Sequence, residues 1–268
     1  MTPSAVLLGL VSDLFFAAPI ETAARALGFQ VHWVDRGEAE PPPGRSASFI
    51  ARVVELQPAL IIVELSSEAI PWERWITALK SSPATRRIPV IAFGPHVNIE
   101  LRERAEEVGC EAVLAKSRFL SDLPALIQKH ARRVDQAALA EDCAAPLSAL
   151  ALKGIDLFNR HEFFEAHEEL EHAWNEDPGP ARELYRGILQ VAVAYLQITR
   201  SNYSGALKMF LRLRQWLDPL PDECRSVNVA QLRADALDAR AALEALGPER
   251  IAAFDHALFK PVPMAKGR

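Results

Sequence analysis

The sequence predicts an α/β domain followed by an all-helical domain. Five short apolar runs alternate with helical patterns over the first half of the chain, strand signals vanish beyond residue 146, and 268 residues suit two domains of ordinary size better than one. Half of the residues are hydrophobic, enough for a buried core in each domain.

The first run, residues 5–11 (AVLLGLV), is continuously apolar, as a strand covered on both faces must be. Residues 18–28 then show helical spacing through Ile20, Ala23, Ala24 and Leu27, with Gly28 as a C-cap. FQVHWV is a second strand, and EAEPPPGRSA is a loop that its prolines keep out of helix and sheet interiors. Residues 49–56 are helical and stop before Pro58; ALIIVEL is the third strand. Residues 72–80 form a helix, IPVIAF the fourth strand, 99–108 a helix ended by Gly109, EAVLAK the fifth strand, and 120–133 a last helix. This βα alternation with short connections predicts a parallel sheet with helices on both faces over residues 1–133. Residues 134–146 are Ala-rich and acidic and read as a linker, with a helix there as the alternative. Helices are expected at 147–160, 162–174, 180–200, 203–217 and 229–246 in a helical domain of residues 147–260, and the tail PVPMAKGR is expected to fray.

Composition narrows the function classes. The net charge is −5, from 30 basic and 35 acidic residues, without a basic stretch, which argues against nucleic acid as a partner. The longest apolar run, Ala5 to Ile20, is short for a membrane span, carries Asp13 and has no basic leader, so neither a membrane anchor nor a signal peptide is expected. Cys110, Cys143 and Cys224 are an odd number without metal spacing, and the default expectation is a reducing, cytoplasmic compartment.

The five strands and the residues at their ends resemble the receiver domain of bacterial response regulators over residues 4–133. In that family an acidic pair follows strand one, the phosphate-accepting Asp ends strand three, Ser or Thr ends strand four, and Lys ends strand five. Here the pair is Ser12-Asp13, the acceptor position holds Glu64, the hydroxyl position falls on Phe93-Gly94, and the Lys is kept as Lys116, followed by Ser117 where Pro is usual. Acyl-phosphate chemistry needs Mg²⁺ held by several carboxylates beside the acceptor. One acid fewer, a longer Glu and no hydroxyl predict a pseudo-receiver that is not phosphorylated. Asp13, Glu64 and Lys116 are expected together at the carboxyl edge of the sheet, with Glu64 and Lys116 either an ordinary ion pair or a permanent mimic of a modified state.

In the helical half the informative segment is GIDLFNRHEFFEAHEELEHAW, residues 154–174. On a wheel of about 100° per residue with His167 at zero, Phe163, Phe164, Leu170 and Trp174 fall within about 60° of it, and Glu171 near +40°. Glu162, Glu165, Glu168, Glu169 and His172 fall opposite. His167 and Glu171 are therefore expected to be buried, one turn apart, among Phe163, Phe164 and Trp174. Buried polar groups must pair or bind something, because leaving one unpaired costs about 1–3 kcal/mol. The alternatives are a structural His–Glu hydrogen bond, a metal or ligand site, and an exposed groove. As metal ligands His167 and Glu171 supply two groups where zinc hydrolases use three, so a third must come from another helix. The helix around residues 183–200 is apolar except for a stripe of Glu183, Arg186, Gln190 and Gln197, either a pocket wall facing His167 and Glu171 or an exposed edge.

Gly154, Ala166, Ala173 and Pro178 have tetratricopeptide-like spacing, loosely repeated 40 residues on at Ala194, Ala206, Leu213 and Pro219. The segment LFNRHEFFEAHEELEHAW with YRGILQVAVAYLQ and SNYSGALKMF closely resembles the helical bacterial and archaeal family catalogued as domain of unknown function 309, over residues 147–220. The family positions carried over are Phe164, Glu165, His167, Glu168, Glu171, Trp174 and Gln190. The resemblance implies a helical fold and, by the family's usual description, a metal-dependent hydrolase. Two functional classes stand at this point. One is a regulatory or scaffolding protein whose pseudo-receiver docks a protein partner, a second copy of the chain being another partner to consider. The other is a hydrolase using a divalent metal at His167 and Glu171, in a pocket shared with Glu168, Trp174, Arg186 and Gln190.

Overall fold

The computed structural model describes residues 5–34, 47–95 and 98–265, so the loop expected at EAEPPPGRSA lies outside the described residues. The chain divides into two compact units, residues 1–133 and 134–268.

In the first unit, β1 (Val6–Leu10), β2 (Gln30–Trp33), β3 (Leu60–Glu64), β4 (Val90–Gly94) and β5 (Ala112–Ala115) form one parallel sheet in the order β2-β1-β3-β4-β5. The register sets Leu7 beside both Val31 and Leu60, Ile61 beside Val90, and Ile91 beside Ala112. Side chains alternate across the sheet, so neighbouring residues enter different cores. Leu7, Leu60, Ile62, Ile91 and Phe93 pack under α1 (Leu14–Ala26) and α5 (Lys116–His130). Leu8, Leu10, Ile61, Val63, Val90 and Ala92 pack under α2 (Ala47–Leu56) and α3 (Trp72–Ser81), with Ala105 of α4 (Ile99–Glu107) in the same layer. Both faces are covered, which is why β3 and β4 read as unbroken apolar runs. Helix α1 begins four residues before the expected Ala18, because the Asp13 carboxylate caps it through the Phe15 amide.

The second unit contains α6 (Gln136–Cys143), α7 (Ala149–Asn159), α8 (Phe163–Glu176), α9 (Glu183–Thr199), α10 (Tyr203–Leu217) and α11 (Val229–Leu246), with a small hairpin of β6 (Glu223–Cys224) and β7 (Val227–Asn228). Helices α7 and α8 touch where Gly154 has no side chain, since a Cβ there would lie 2.7 Å from Leu170 Cγ. The core centres on Tyr195, whose ring lies 5.4 Å from Phe163 and 4.6 Å from Phe259.

Three expectations are corrected here. Residues 134–146 are no free linker: Asp135 caps α6, and Leu139 and Cys143 lie in the helical core. The tail does not fray up to residue 265. Val262 is buried, Met264 bridges to Val227, and the Ala265 amide donates to Ser226 O. Cys143 and Cys224, 81 residues apart, form a disulfide, which removes the ground on which a reducing compartment was expected. Among the described residues, no helix is long and apolar enough to cross a membrane.

Candidate functional sites

The sheet order reverses between β1 and β3, and open α/β sheets place their sites at the carboxyl ends of such strands. Glu64 closes β3 there, with only 3% of its surface exposed. Its Oε2 accepts hydrogen bonds from the Ser12 amide (3.1 Å), the Ser12 hydroxyl (3.2 Å) and the Asp13 amide (3.1 Å). Its Oε1 accepts from the Ser66 hydroxyl (2.9 Å) and Lys116 Nζ (3.2 Å). Lys116 is the first residue of α5, and its ammonium lies 4.9 Å from the centre of the Phe16 ring. Asp13 reaches Glu64 through its backbone alone. Its own carboxylate is the exposed cap of α1.

Burial raises the carboxyl pKa of Glu64, but the hydrogen bonds from Ser66, Lys116, Asp13 and Ser12 outweigh it, and the net shift is downward from the ordinary 4.5. A carboxyl depressed in the folded state stabilises the fold above its unfolded pKa and loses that stabilisation as pH falls through the folded value. The first unit should therefore lose stability on acidification below about pH 4.5, and Glu64→Gln should flatten that acid limb in pH-dependent urea unfolding. An acid limb unchanged in the variant would show that Glu64 does not titrate with folding.

The hydroxyl position of a receiver is occupied by core. Phe93 is fully buried, stacked 4.2 Å from Phe119 and 4.8 Å from Phe16. The residues also fail to fit a Mg²⁺ site. Both Glu64 oxygens are engaged by protein donors, Asp13 caps a helix, and the described residues contain no group of three His, Cys, Asp or Glu side chains able to hold a metal ion.

The helical site differs from expectation. Glu171 is exposed, His167 is half-buried, and Phe164 is 47% exposed. The buried face of α8 is Phe163, Ala166, Leu170 and Ala173. On the same wheel these centre near −80°, so His167 lies at the margin and Glu171 and Phe164 beyond it. The aromatic residues suggested a face centred on His167; the buried Ala166 and Ala173, with Phe163 and Leu170, define the real one. With Glu171 in solvent and no third ligand among the described residues, His167 and Glu171 do not fit a hydrolytic metal centre, and the hydrolase expectation is not supported. Glu168 is exposed as well.

The other predicted members do cluster. Arg186 stacks between two indoles, 4.5 Å from Trp174 and 3.9 Å from Trp216, and Arg182 lies 5.1 Å from Trp174. Trp174 Nε1 donates to Glu183 (3.4 Å), and Arg186 lies 3.8 Å from Glu183 Oε2. Gln190 Oε1 is buried without a hydrogen-bond donor among the described residues. Gln197 leaves the stripe to accept from Asn202 (2.7 Å) in the turn before α10.

A second polar centre escaped the sequence reading. Arg225, 5% exposed and at φ 49°, reaches into the unit from the β6–β7 turn. Its guanidinium pairs with Asp142 (2.7 Å), Asp177 and the Tyr185 hydroxyl. Burial works against its charge, but these partners more than compensate and raise its pKa. The Asp142 carboxylate also accepts from the Ala181 amide (2.8 Å), where Gly179 leaves it room. The only sequence hint is that Asp142 and Arg225 each adjoin one of the paired cysteines.

The sheet order, the helices on both faces and the Glu64–Lys116 pair at the carboxyl edge define the first unit as a receiver-like fold. Residues 151–209 match the family model "Domain of unknown function (DUF309)". Among solved structures, the N-terminal half is similar to a putative response regulator from Chloroflexus aurantiacus J-10-fl, at 18% identity over 47% of this chain and 96% of that one, with a TM-score of 0.39. It is also similar to the chemotaxis response regulator CheY4 of Vibrio cholerae, at 15% identity over 47% and 98% of the two chains, with a TM-score of 0.38. A third is the phosphorylated cyanobacterial phytochrome response regulator RcpA, at 16% identity over 47% and 94%, with a TM-score of 0.38. No curated protein matches the sequence.

Proposed function

We propose that this is a regulatory or scaffolding protein, in which a receiver-fold unit that is not phosphorylated docks a protein partner and a helical unit serves as an interaction module. The observation that supports this reading most is the state of Glu64. A phosphoryl acceptor needs a carboxylate oxygen free to attack and a cation beside it to neutralise the incoming charge. Glu64 instead accepts five hydrogen bonds from four residues, including Lys116. The Glu64–Lys116 pair ties the carboxyl edge together without any modification, as an ordinary ion pair or as a permanent mimic of a modified state. In the helical unit, the pairs α7–α8 and α9–α10 are each joined by a three-residue turn, with Gly154 and Gly187 at helix contacts, which supports a tetratricopeptide-like module.

Incubation with acetyl phosphate and Mg²⁺, followed by intact-mass measurement, should leave the mass of the protein unchanged. Beryllofluoride should produce no shift in the amide spectrum around Glu64 and Lys116. A stoichiometric acyl-phosphate would overturn the reading.

A further inference from the structure

We propose that the Cys143–Cys224 bond is a thiol-exchange site: an external dithiol attacks Cys143 Sγ, opens the bond and releases α6 from the helical unit. The bond joins the last residue of α6 to the β6–β7 hairpin, and both cysteines lie outside the segment that matches the helical family. The two sulfurs are not equivalent. Cys224 has no exposed surface, whereas Cys143 keeps 7% and is followed by the exposed Ala144, so an incoming thiolate reaches Cys143 first. The leaving group is then the buried Cys224.

The electron count closes. The donor thiolate forms a mixed disulfide with Cys143 Sγ, the Cys143–Cys224 bond breaks, and its electron pair leaves on Cys224 Sγ, which takes a proton from water. The donor's second thiolate attacks the mixed disulfide, forming the donor's own disulfide and a free Cys143 thiol. The protein gains two electrons and two protons; the dithiol loses them. Cys110 does not compete, being buried in the other unit with its thiol pushed up to about 12, mainly by burial.

Opening the bond has a local consequence because the polar anchors of α6 gather at its C-terminal end, beside the bond. It is eight residues long, too short to hold as an isolated helix, and Leu139 and Cys143 are its buried side chains. Its other ties gather at the same end: the Asp142 carboxylate pairs with Arg225 and accepts from the Ala181 amide, and Cys143 O accepts from the Arg225 amide (2.7 Å). Reduction thus removes the covalent tie at that end and loosens the first helix of the helical unit.

The test is run on the full-length protein, purified in air and then treated with dithiothreitol under native conditions. Denatured samples should show one alkylatable thiol before reduction and three after it. Hydrogen exchange of the α6 amides should rise at least tenfold on reduction, with a smaller change in α9. Cys224→Ser treated with glutathione disulfide should acquire an adduct on Cys143 faster than Cys143→Ser acquires one on Cys224. Three alkylatable thiols before reduction, a bond that opens only in denaturant, or α6 exchange unchanged once both thiols are free would each overturn the proposal.

Discussion

Replacing Arg225 with Met should destabilise the helical unit by about 3–5 kcal/mol, the usual cost of removing one member of a buried ion pair. Met keeps most of the side-chain volume, so the loss reports charge and hydrogen bonding rather than a cavity. Arg225 is 5% exposed, and the carboxylates of Asp142 and Asp177 that it neutralises are themselves only 21% and 15% exposed. Without the guanidinium, two like charges remain close together with little water to screen them. The Tyr185 hydroxyl, at a fully buried residue, loses a partner as well. Urea unfolding read through hydrogen exchange of α9 amides measures the effect. The triple variant Arg225→Met, Asp142→Asn, Asp177→Asn should recover part of the loss, because neutralising the orphaned acids removes the repulsion while Asn can still accept from the Ala181 and Gly179 amides. A single variant costing less than about 1 kcal/mol would show that the acids hydrate freely and that the cluster does not hold the hairpin.

The parts of this fold that were legible in the sequence are those whose burial is simple. Strands β3 and β4 are buried at every position and read directly as apolar runs. Helices α9 and α10 carry apolar stripes long enough to fix their ends within a few residues. The closeness of Glu64 and Lys116 was legible because one ends a strand and the other starts a helix, positions that topology alone brings together. Contacts between distant segments were not legible. Two-residue strands such as β6 and β7 are too short for any periodicity, and no spacing rule pairs Cys143 with a cysteine 81 residues on. The misplaced face of α8 has a different origin. Alanine is weak in hydrophobic area, so Ala166 and Ala173 carried little weight beside Phe164 and Trp174. Yet small residues mark where helices approach most closely, as Gly154 against Leu170 does. The start of α1 was obscured similarly, since Leu14 and Phe15 extend an apolar run but are 84% and 69% exposed.

Phe259→Ala should cost about 3–5 kcal/mol, the range for emptying a buried aromatic site, although the residue lies beyond the last α-helix. The segment after α11 folds into short 3-10 turns, Pro248–Ala253 and His256–Leu258, and delivers Phe259 to the centre of the unit. There its ring lies 4.6 Å from Tyr195, 5.5 Å from Phe163 and 5.6 Å from Phe254, with the His256 ring stacked at 4.7 Å. The Tyr195 hydroxyl donates to Leu258 O (3.2 Å), and the Val262 amide donates to Asn159 Oδ1 (2.8 Å) at the end of α7. An Ala at 259 leaves a void between rings that belong to α8, α9 and the tail, and a cavity bordered by several elements cannot collapse without moving at least one of them. The measurable consequence has two parts: a lower urea midpoint for the helical unit, and faster exchange of the Asn228, Val262 and Ala265 amides, all of which depend on the docked tail. Met264→Ala, at a side chain 45% exposed, is the matched control and should change the midpoint by no more than about 0.5 kcal/mol. If Phe259→Ala behaved like that control, the tail would be an appendage of the unit rather than part of its core.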